Sequence, residues 1–242
     1  MDLPKAVSRA EWLVARQELL AKEKELTRQR DALSAEGRRL PMVEVEQDYV
    51  LTGPSGPVRL SELFAGRRQL IVYHFMFDPS WDEGCPSCSF LADTIGVAPV
   101  HLAARDTAFA VVSRAPLGKI EAFRRRMGWD FRWLSSEGST FNRDFQVTLD
   151  AVEGAREYNY TDVETLLADG KIWTIRGEMP GLSVFLRDGE RTYHTYSAYQ
   201  RGLDPLLNVY NYLDMTPLGR QDAEGANPMA WIRHHDRYDM AG

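Results

Sequence analysis

The chain has 242 residues and a formal net charge of −6, with 44% hydrophobic and 26% charged residues. This length and composition suit one generous domain with additions, or two small domains, with enough apolar residues for a buried core. The negative balance argues against a nucleic-acid partner, because phosphate contacts need clustered positive charge. The short basic runs are interleaved with acids, and we interpret them as solvated faces.

Membrane and export signals are not evident in the sequence. No segment approaches the roughly 18 consecutive apolar residues of a membrane span. The first residues include Asp2, Arg9 and Glu11 and lack the apolar core of a secretory signal. We therefore expect a cytosolic protein without membrane contact. In that reducing compartment, two cysteines within four residues, Cys85 and Cys88, are more often catalytic or metal-binding than structural.

Residues 1–41 are predicted to form a helical extension. Ser8 and Glu11 have the spacing of a capping box, and neither Pro nor Gly interrupts the chain from Arg9 to about Glu36. Apolar residues recur every seven positions, at Trp12, Leu19, Leu26 and Leu33. This stripe suits packing on the main body or on a second subunit. A homodimer through the helix and a helix lying across its own domain are the two alternatives.

Residues 42–216 are predicted to form the main domain. Gln69 to Phe77 is a near-continuous apolar run, typical of a strand covered on both faces, and Thr107 to Ser113 is a second one. Between them lie a polar loop, the two cysteines and a helix to about Ile95, and a helix from Pro116 to Met127 follows. Strands that alternate with helices pair in parallel through crossovers, which indicates an α/β domain.

The second half of the domain is expected to contain an insertion. The stretch from Trp129 to about Gly170 is aromatic and polar, and we expect an irregular segment there with one or two short strands or helices. A strand from Leu182 to Leu186 follows. Asp188-Gly189 then predicts a hairpin turn that returns the chain along Arg191 to Ser197.

The last elements are a helix and a tail. Asp204 is predicted to cap the helix, with Pro205 in its first turn. Residues 217–242 are expected to form a polar tail, in which Trp231 is a candidate anchor.

The sequence Cys85-Pro86-Ser87-Cys88 stands between a predicted strand and a predicted helix. The thiolate is the reactive form of cysteine, and a free thiol with a pKa of about 8.5 is mostly protonated at neutral pH. A helix N-terminus directs unpaired backbone N–H groups and the positive dipole end at the Cys85 sulfur. Pro86 suits the first helical position, where its missing N–H has no partner. Cys85 is therefore predicted to attack, and Cys88 to resolve the mixed disulfide.

Two other interpretations of the cysteine pair stay open. Cys-x-x-Cys is also a metal-ligand spacing, but zinc would need two further ligands, and the chain has five histidines and no second cysteine pair. Alternatively, the two cysteines are buried, inert and space-filling. The strand before the motif and the helix after it favour a redox site. We expect neither a metal nor a bound cofactor.

Met179-Pro180 stands just before the predicted strand Leu182–Leu186. The order of proline, strand, hairpin and strand resembles the corresponding part of thioredoxin-like folds. In those folds the proline is cis and lies against the cysteines, where its neighbour's backbone pairs with a bound peptide. The resemblance implies that Met179 and Pro180 shape the substrate groove. A trans proline at a strand start is the alternative.

Short motifs along nearly the full chain carry a resemblance to a family. They are Phe75-Met76-Phe77, Gly84-Cys85-Pro86-Ser87-Cys88-Ser89, Val112-Ser113-Arg114-Ala115-Pro116, Gly128-Trp129, Phe141-Asn142-Arg143-Asp144-Phe145, Tyr210-Asn211-Tyr212-Leu213-Asp214 and Pro217-Leu218-Gly219-Arg220. The chain is similar to bacterial proteins described as predicted dithiol–disulfide oxidoreductases, near the peroxiredoxin and redoxin branch of the thioredoxin superfamily. The resemblance implies a thioredoxin-like fold, with a central mixed sheet flanked by helices. The long first helix and an insertion before the Met179-Pro180 strand would be additions to it.

Some positions differ from those of peroxiredoxins and thioredoxins. Peroxiredoxins place Thr or Ser three residues before the peroxidatic cysteine, whereas Asp82 stands here, which argues against peroxide reduction. Thioredoxins carry a buried Asp on the strand before the motif. In the matching region His74 is a candidate proton relay, or else a core histidine. Trp81, in the loop before Cys85, is a candidate for the binding surface, and the acids beside it would raise the pKa of Cys85.

These observations favour a thiol–disulfide oxidoreductase. Its partners would be a disulfide-containing protein or a small-molecule disulfide, and an external thiol reductant. A redoxin-type peroxide reductase is one alternative. The other is a non-catalytic thioredoxin-like binding or scaffold protein with a regulatory disulfide.

Overall fold

The computed structural model describes residues 3–150, 157–171, 176–222 and 227–239. Its helices are α1 (Arg9–Gly37), α2 (Leu60–Leu63), α3 (Pro86–Ala92), α4 (Ala98–Ala103), α5 (Leu117–Arg126), α6 (Phe141–Asp144), α7 (Val163–Ala168) and α8 (Asn208–Leu213). Its strands are β1 (Val43–Glu44), β2 (Val50–Gly53), β3 (Gly56–Arg59), β4 (Gln69–His74), β5 (Thr107–Ser113), β6 (Trp133–Ser135), β7 (Thr148–Asp150), β8 (Glu157–Tyr158), β9 (Thr161–Asp162), β10 (Arg176–Glu178), β11 (Gly181–Asp188) and β12 (Arg191–Tyr199).

Eight strands form one mixed sheet in the order β1-β12-β11-β4-β5-β6-β2-β3. β4 pairs in parallel with β5, and β5 with β6, whereas the β11–β12 hairpin runs antiparallel to β4. Parallel neighbours need a crossover, which α3 and α4 supply between β4 and β5, and α5 between β5 and β6. The order β12-β11-β4-β5 with these directions is that of a thioredoxin-like fold. The predicted fold class is thus confirmed.

The central strands bury side chains on both faces of the sheet. On one face Tyr73, Val111 and Trp133 pack with residues of α3 and α5, and Cys88 belongs to this cluster. We call it the cysteine face. On the other side, called the opposite face, Val72 and Val112 pack with residues of α2 and α6. Burial on both faces explains why β4 and β5 are continuous apolar runs in the sequence.

Two predicted regions differ from the observed structure. Within the expected irregular stretch, β6 joins the central sheet parallel to β5, and β7 pairs with β10. Three residues are too few for β6 to show a period in the sequence. The predicted helix at Asp204 is a 3-10 helix, Gln200–Leu206, before α8 begins. The Asp204 carboxylate accepts from the Arg201 guanidinium at 2.7 Å instead of capping a helix.

The first helix begins at the predicted capping box. The Glu11 carboxylate accepts from the Ser8 N–H at 2.9 Å, and the Ser8 hydroxyl accepts from the Glu11 N–H at 3.3 Å. Over its whole length, which the structure describes, α1 has no buried residue. The helix therefore does not pack across its own domain. Among the described residues, no helix is both long and apolar enough to cross a membrane.

Candidate active site

The cysteine motif is attached to the carboxyl end of β4. Cys85 is the N-cap of α3 and Pro86 occupies its first turn, as the sequence predicts. The Cys85 N–H donates to the Met76 carbonyl at 3.0 Å, and the Cys88 sulfur accepts from the Met76 N–H at 3.4 Å. The two thiols are unbridged; Cys85 is half-buried, whereas Cys88 is only 2% exposed. Cys88 thus lies in the core, and Cys85 packs at its margin.

Hydrogen-bond donors converge on the Cys85 sulfur. They are the Cys88 thiol, the backbone N–H groups of Cys88 and Ser87, and the Ser87 hydroxyl. These bonds lower the pKa of Cys85 to about 7, against the opposing effect of burial. The pKa is therefore lowered, contrary to the expectation from the loop acids. Asp82 extends into solvent, and Glu83 is paired with Arg126 at 2.7 Å.

The pKa of the Cys88 thiol is shifted in the opposite direction. Burial raises its pKa well above the ordinary value, and the neighbouring Cys85 sulfur raises it further. A hydrogen bond from Tyr73 and one from the Met76 N–H act in the other direction. At neutral pH, Cys88 therefore keeps its proton while Cys85 is partly ionised.

Tyr73 is a site residue that sequence reasoning missed. It lies on the cysteine face, 1% exposed, with its hydroxyl hydrogen-bonded to Cys88. Burial, followed by the charge on Cys88, raises the pKa of Tyr73 well above its usual value, so the phenol stays protonated. Because β4 is buried on both faces, its hydrophobic pattern does not alternate and does not show which side chain faces the cysteines.

His74, the predicted proton relay, lies on the opposite face. Its Nε2 is 2.9 Å from the Ser183 Oγ, and its ring packs against Phe141 and Phe145. Burial, with a smaller contribution from His194, lowers the pKa of His74 to about 3, so the ring is neutral. The structure does not bring His74 together with the cysteines.

Met179 and Pro180 reach the site from β11. Gly181 pairs with His74 across the sheet, so Pro180 arrives at the same end of β4 as the cysteine motif. No peptide bond of the described residues is cis, and Met179–Pro180 is therefore trans, contrary to the form found in related folds. The chain is held here by the Met179 N–H, which donates to the Val147 carbonyl at 2.8 Å. The Met179 side chain packs in a separate cluster with Val147.

Tyr158 is bonded to the chain at Pro180. Its hydroxyl donates to the Pro180 carbonyl at 3.4 Å. Burial, followed by Tyr199 and Cys88, raises the pKa of Tyr158, so the phenol stays protonated. Trp81, 36% exposed, lies on the loop that ends at Cys85, where Lys119 donates to its carbonyl at 2.8 Å.

Arg114 joins the loop before Cys85 to the end of β10, a role that the sequence did not reveal. Its guanidinium pairs with Asp78, in the loop before Cys85, and with Glu178, just before Met179, at 2.7 Å. The Thr148 hydroxyl also donates to Glu178, at 2.9 Å. Burial raises the pKa of Glu178, although Arg114 and Thr148 hold it down. These partners lie far apart in the chain, so only the fold brings them together.

Residues 227–239, part of the predicted polar tail, pack beside the cysteine loop. Ile232 is 3% exposed within the cysteine-face cluster. The buried His234 donates through Nε2–H to the Gly84 carbonyl at 2.8 Å. Gly84 itself needs to be glycine, because a Cβ there would lie 2.6 Å from the Phe75 ring and 2.7 Å from the Phe123 ring. The C-terminal segment thus holds the residue that precedes Cys85.

Two further observations concern ligands. Among the described residues, no cluster of three or more His, Cys, Asp and Glu side chains is arranged to hold a metal ion. A groove of about 650 Å³ runs along β12 and is lined by Tyr160, His194 and Arg201, among others. Neither cysteine lines this groove, so it is separate from the cysteine site.

The fold and the site define a thioredoxin-like protein with a Cys-x-x-Cys pair at the start of a helix. The chain belongs to the family described as "Bacterial protein of unknown function (DUF899)", whose model matches residues 1–238. No curated protein matches the chain.

Several solved structures are distantly similar to the chain. A PrxQ cysteine-to-serine mutant from Xylella fastidiosa has a TM-score of 0.46 at 11% identity, covering 72% of this chain and 97% of its own. The peroxidoxin BcpB from Mycobacterium tuberculosis gives 0.45 at 16%, covering 72% and 96%. A putative thiol:disulfide interchange protein DsbE from Chlorobium tepidum gives 0.43 at 13%, covering 69% and 99%. The similarity is weak, and the fold assignment rests on the strand order.

Proposed function

We propose that the protein is a thiol–disulfide oxidoreductase in which Cys85 attacks and Cys88 resolves. The observation that carries this proposal is the placement of the two thiols at the start of α3, where Cys85 is the half-buried N-cap and Cys88 is buried in the first turn. The pKa of the half-buried Cys85 is lowered to about 7, and that of the buried Cys88 is raised. About half of the Cys85 sulfur is then thiolate at pH 7, which favours one order of attack.

In the first step, the Cys85 thiolate attacks one sulfur of a substrate disulfide. A bond forms between Cys85 and that sulfur, and the substrate S–S bond breaks. The second substrate sulfur leaves as a thiolate and takes a proton from water. The donors around Cys85 hold it as the anion before this attack, with the Cys88 thiol the largest contributor.

In the second step, Cys88 resolves the mixed disulfide. Once Cys85 is in a mixed disulfide, its negative charge and its hydrogen bond no longer raise the pKa of Cys88. The Tyr73 hydroxyl and the Met76 N–H remain as donors to the Cys88 sulfur. Cys88 loses its proton to solvent and attacks the Cys85 sulfur, and the substrate leaves as a second thiolate. Two electrons pass to the substrate, and an external thiol reductant regenerates the dithiol.

A small-molecule disulfide is the substrate that the site favours. In related folds, the backbone of the residue before the proline pairs with a bound peptide. Here the Met179 N–H donates to the Val147 carbonyl, and the Pro180 carbonyl accepts from Tyr158. Fewer backbone groups are thus available for an extended peptide. Trp81 would offer an exposed aromatic surface beside Cys85 instead.

The test is turnover by the wild type and by Cys85→Ser and Cys88→Ser variants, with dithiothreitol as reductant. Glutathione disulfide, a model protein disulfide and hydrogen peroxide are the three substrates. We expect glutathione disulfide to be reduced fastest, no turnover by Cys85→Ser, and a glutathione adduct on Cys88→Ser detected by mass spectrometry. A folded wild type that reduces neither disulfide would overturn the proposal.

The remaining outcomes identify the alternatives. Peroxide consumption that survives Cys88→Ser but not Cys85→Ser would indicate a peroxide reductase. Reversible formation of the Cys85–Cys88 disulfide without turnover of any substrate would indicate a binding or scaffold protein with a regulatory disulfide. A protein disulfide reduced faster than glutathione disulfide would reverse the substrate preference and leave the roles of the cysteines intact.

A further inference from the structure

The helix α1 presents an exposed apolar face along its length. Its members recur at spacings that place them on one side of a helix. Their exposed fractions are 49% for Trp12, 45% for Leu13, 51% for Leu19, 38% for Leu20, 58% for Leu26 and 69% for Leu33. The helix is 29 residues, or about 43 Å, long. None of these residues is buried, although each is large and apolar.

Such a face indicates an interface. Most helical stability in proteins comes from packing an amphipathic face, not from intrinsic propensity. Monomeric proteins rarely leave a contiguous apolar patch of this extent in water. The described part of the chain leaves most of it open, since no residue of α1 is buried.

Two opposite charges lie along the middle of this face. Arg16 stands between Trp12 and Leu19 on the helix surface, and Glu23 stands between Leu19 and Leu26. Their side chains pair with each other at 2.9 Å across the apolar residues. The Nη1 of Arg16 is buried and has no hydrogen-bond partner among the described residues. Arg16 and Glu23 are thus a positive and a negative position in the apolar face, equally distant from a point between Leu19 and Leu20.

We propose that a second copy of this chain covers the face, with the two α1 helices antiparallel and crossing at Leu19 and Leu20. In a parallel pair, Arg16 would lie beside Arg16 of the partner subunit, and the two Glu23 side chains would also meet. Reversing one helix about a two-fold axis places each Arg16 opposite Glu23 of the partner subunit. It also places each Leu13 opposite Leu26 of the partner subunit.

A third charge, Arg30, lies in the face between Leu26 and Leu33. In the antiparallel arrangement it comes opposite Arg9 of the partner subunit, where water and salt screen the repulsion. In a parallel pair Arg16, Glu23 and Arg30 would each meet their own kind, so the two Arg16–Glu23 pairs favour the antiparallel arrangement.

The first test is the mass of the full chain in solution by multi-angle light scattering at about 20 μM protein, a concentration at which a micromolar dimer forms. We expect twice the 27.6 kDa of one chain for the wild type, and a monomer for Leu19→Asp/Leu26→Asp. The matched control is Ala21→Asp/Ala32→Asp, which adds the same charges on the other side of α1 and should stay dimeric. A monomeric wild type, or a dimer that survives Leu19→Asp/Leu26→Asp, would overturn the proposal.

The second test addresses direction. Leu13→Cys and Leu26→Cys are each made in a Cys85→Ser/Cys88→Ser background and oxidised with diamide, alone and mixed. An antiparallel pair cross-links Leu13→Cys chains to Leu26→Cys chains in the mixture and leaves each variant alone uncross-linked. Cross-linking of each variant with itself would show a parallel pair and contradict the proposed arrangement.

Discussion

Tyr73 and His74 are neighbours on β4, and each serves a different face of the sheet. Both side chains are about 1% exposed, and burial disfavours the charged form of each. It raises the pKa of Tyr73 and lowers the pKa of His74. On the cysteine face, Tyr73 donates to a sulfur that can become charged. On the opposite face, His74 meets the Ser183 hydroxyl and aromatic rings.

The difference shows that burial alone does not make a reactive site. The cysteine face adds a helix start, whose N–H groups reach the Cys85 sulfur, and two donors to Cys88. On the opposite face the pKa of His74 is lowered by burial and by His194, and its ring is neutral beside the Ser183 hydroxyl. Redox chemistry is therefore expected from one face only, and substitutions on the two faces should have separable effects.

The largest effect is expected from Arg114→Met, which removes the link between the loop before Cys85 and the end of β10. The Glu178 side chain is 1% exposed and would keep a buried carboxylate without its cation. Breaking a buried pair costs about 3–5 kcal/mol, and the partial exposure of Arg114 favours a loss near about 3 kcal/mol. Urea denaturation measures this loss in the free energy of unfolding.

The pH dependence of Arg114→Met has a definite sign. Burial already raises the pKa of Glu178, and without Arg114 the pKa rises further, so the folded state binds a proton more readily than the unfolded chain. The destabilisation should therefore be greatest at neutral pH and shrink as the pH falls and Glu178 becomes protonated. Arg114→Met/Glu178→Gln, the control, should recover part of the loss. A loss below about 1 kcal/mol, the scale of an exposed pair, would contradict the role of Arg114.

Features that depend on a local pattern could be predicted from the sequence. The capping box of α1, the strand β5 and the N-cap position of Cys85 all follow from residues close together in the chain. Contacts between segments that are distant in the chain could not be predicted from the sequence. Arg114 finds Asp78 and Glu178 only through the fold.

The sequence also did not identify which residues contact the cysteines. On a strand buried on both faces, such as β4, hydrophobicity does not alternate with a period of two. The sequence therefore does not distinguish His74, on the opposite face, from Tyr73, which contacts the Cys88 thiol. The Met179 N–H is likewise bonded to Val147, a residue 32 positions earlier, and this contact is outside the reach of the local sequence.

A smaller effect is expected from Tyr73→Phe, which tests the cysteine face directly. The change keeps the ring and removes the hydroxyl that donates to Cys88. A hydrogen bond to a charged group contributes about 1.5–3 kcal/mol, so the resolving step should slow by about 10- to 100-fold. Rapid-quench mass spectrometry of the mixed disulfide with glutathione measures its decay.

The matched control on the opposite face is His74→Gln. This variant should resolve the mixed disulfide at the wild-type rate, and neither variant should move the pH profile of Cys85 alkylation. Slower resolution in His74→Gln, or an unchanged rate in Tyr73→Phe, would remove the distinction between the two faces.

The smallest effect is expected from Ser87→Ala, because the Ser87 hydroxyl is the least of the donors that lower the pKa of Cys85. In the wild type, iodoacetamide labelling of Cys85, followed by mass spectrometry, should rise with pH around a midpoint near 7, below the value of about 8.5 for a free cysteine. One hydrogen bond contributes about 1 kcal/mol and one pKa unit corresponds to about 1.4 kcal/mol, so the midpoint should rise by less than about one unit. The backbone N–H groups and the Cys88 thiol remain in Ser87→Ala, and they should keep the midpoint below that of a free cysteine. A midpoint that reaches about 8.5 would mean that the hydroxyl, and not the start of α3, sets the acidity of Cys85.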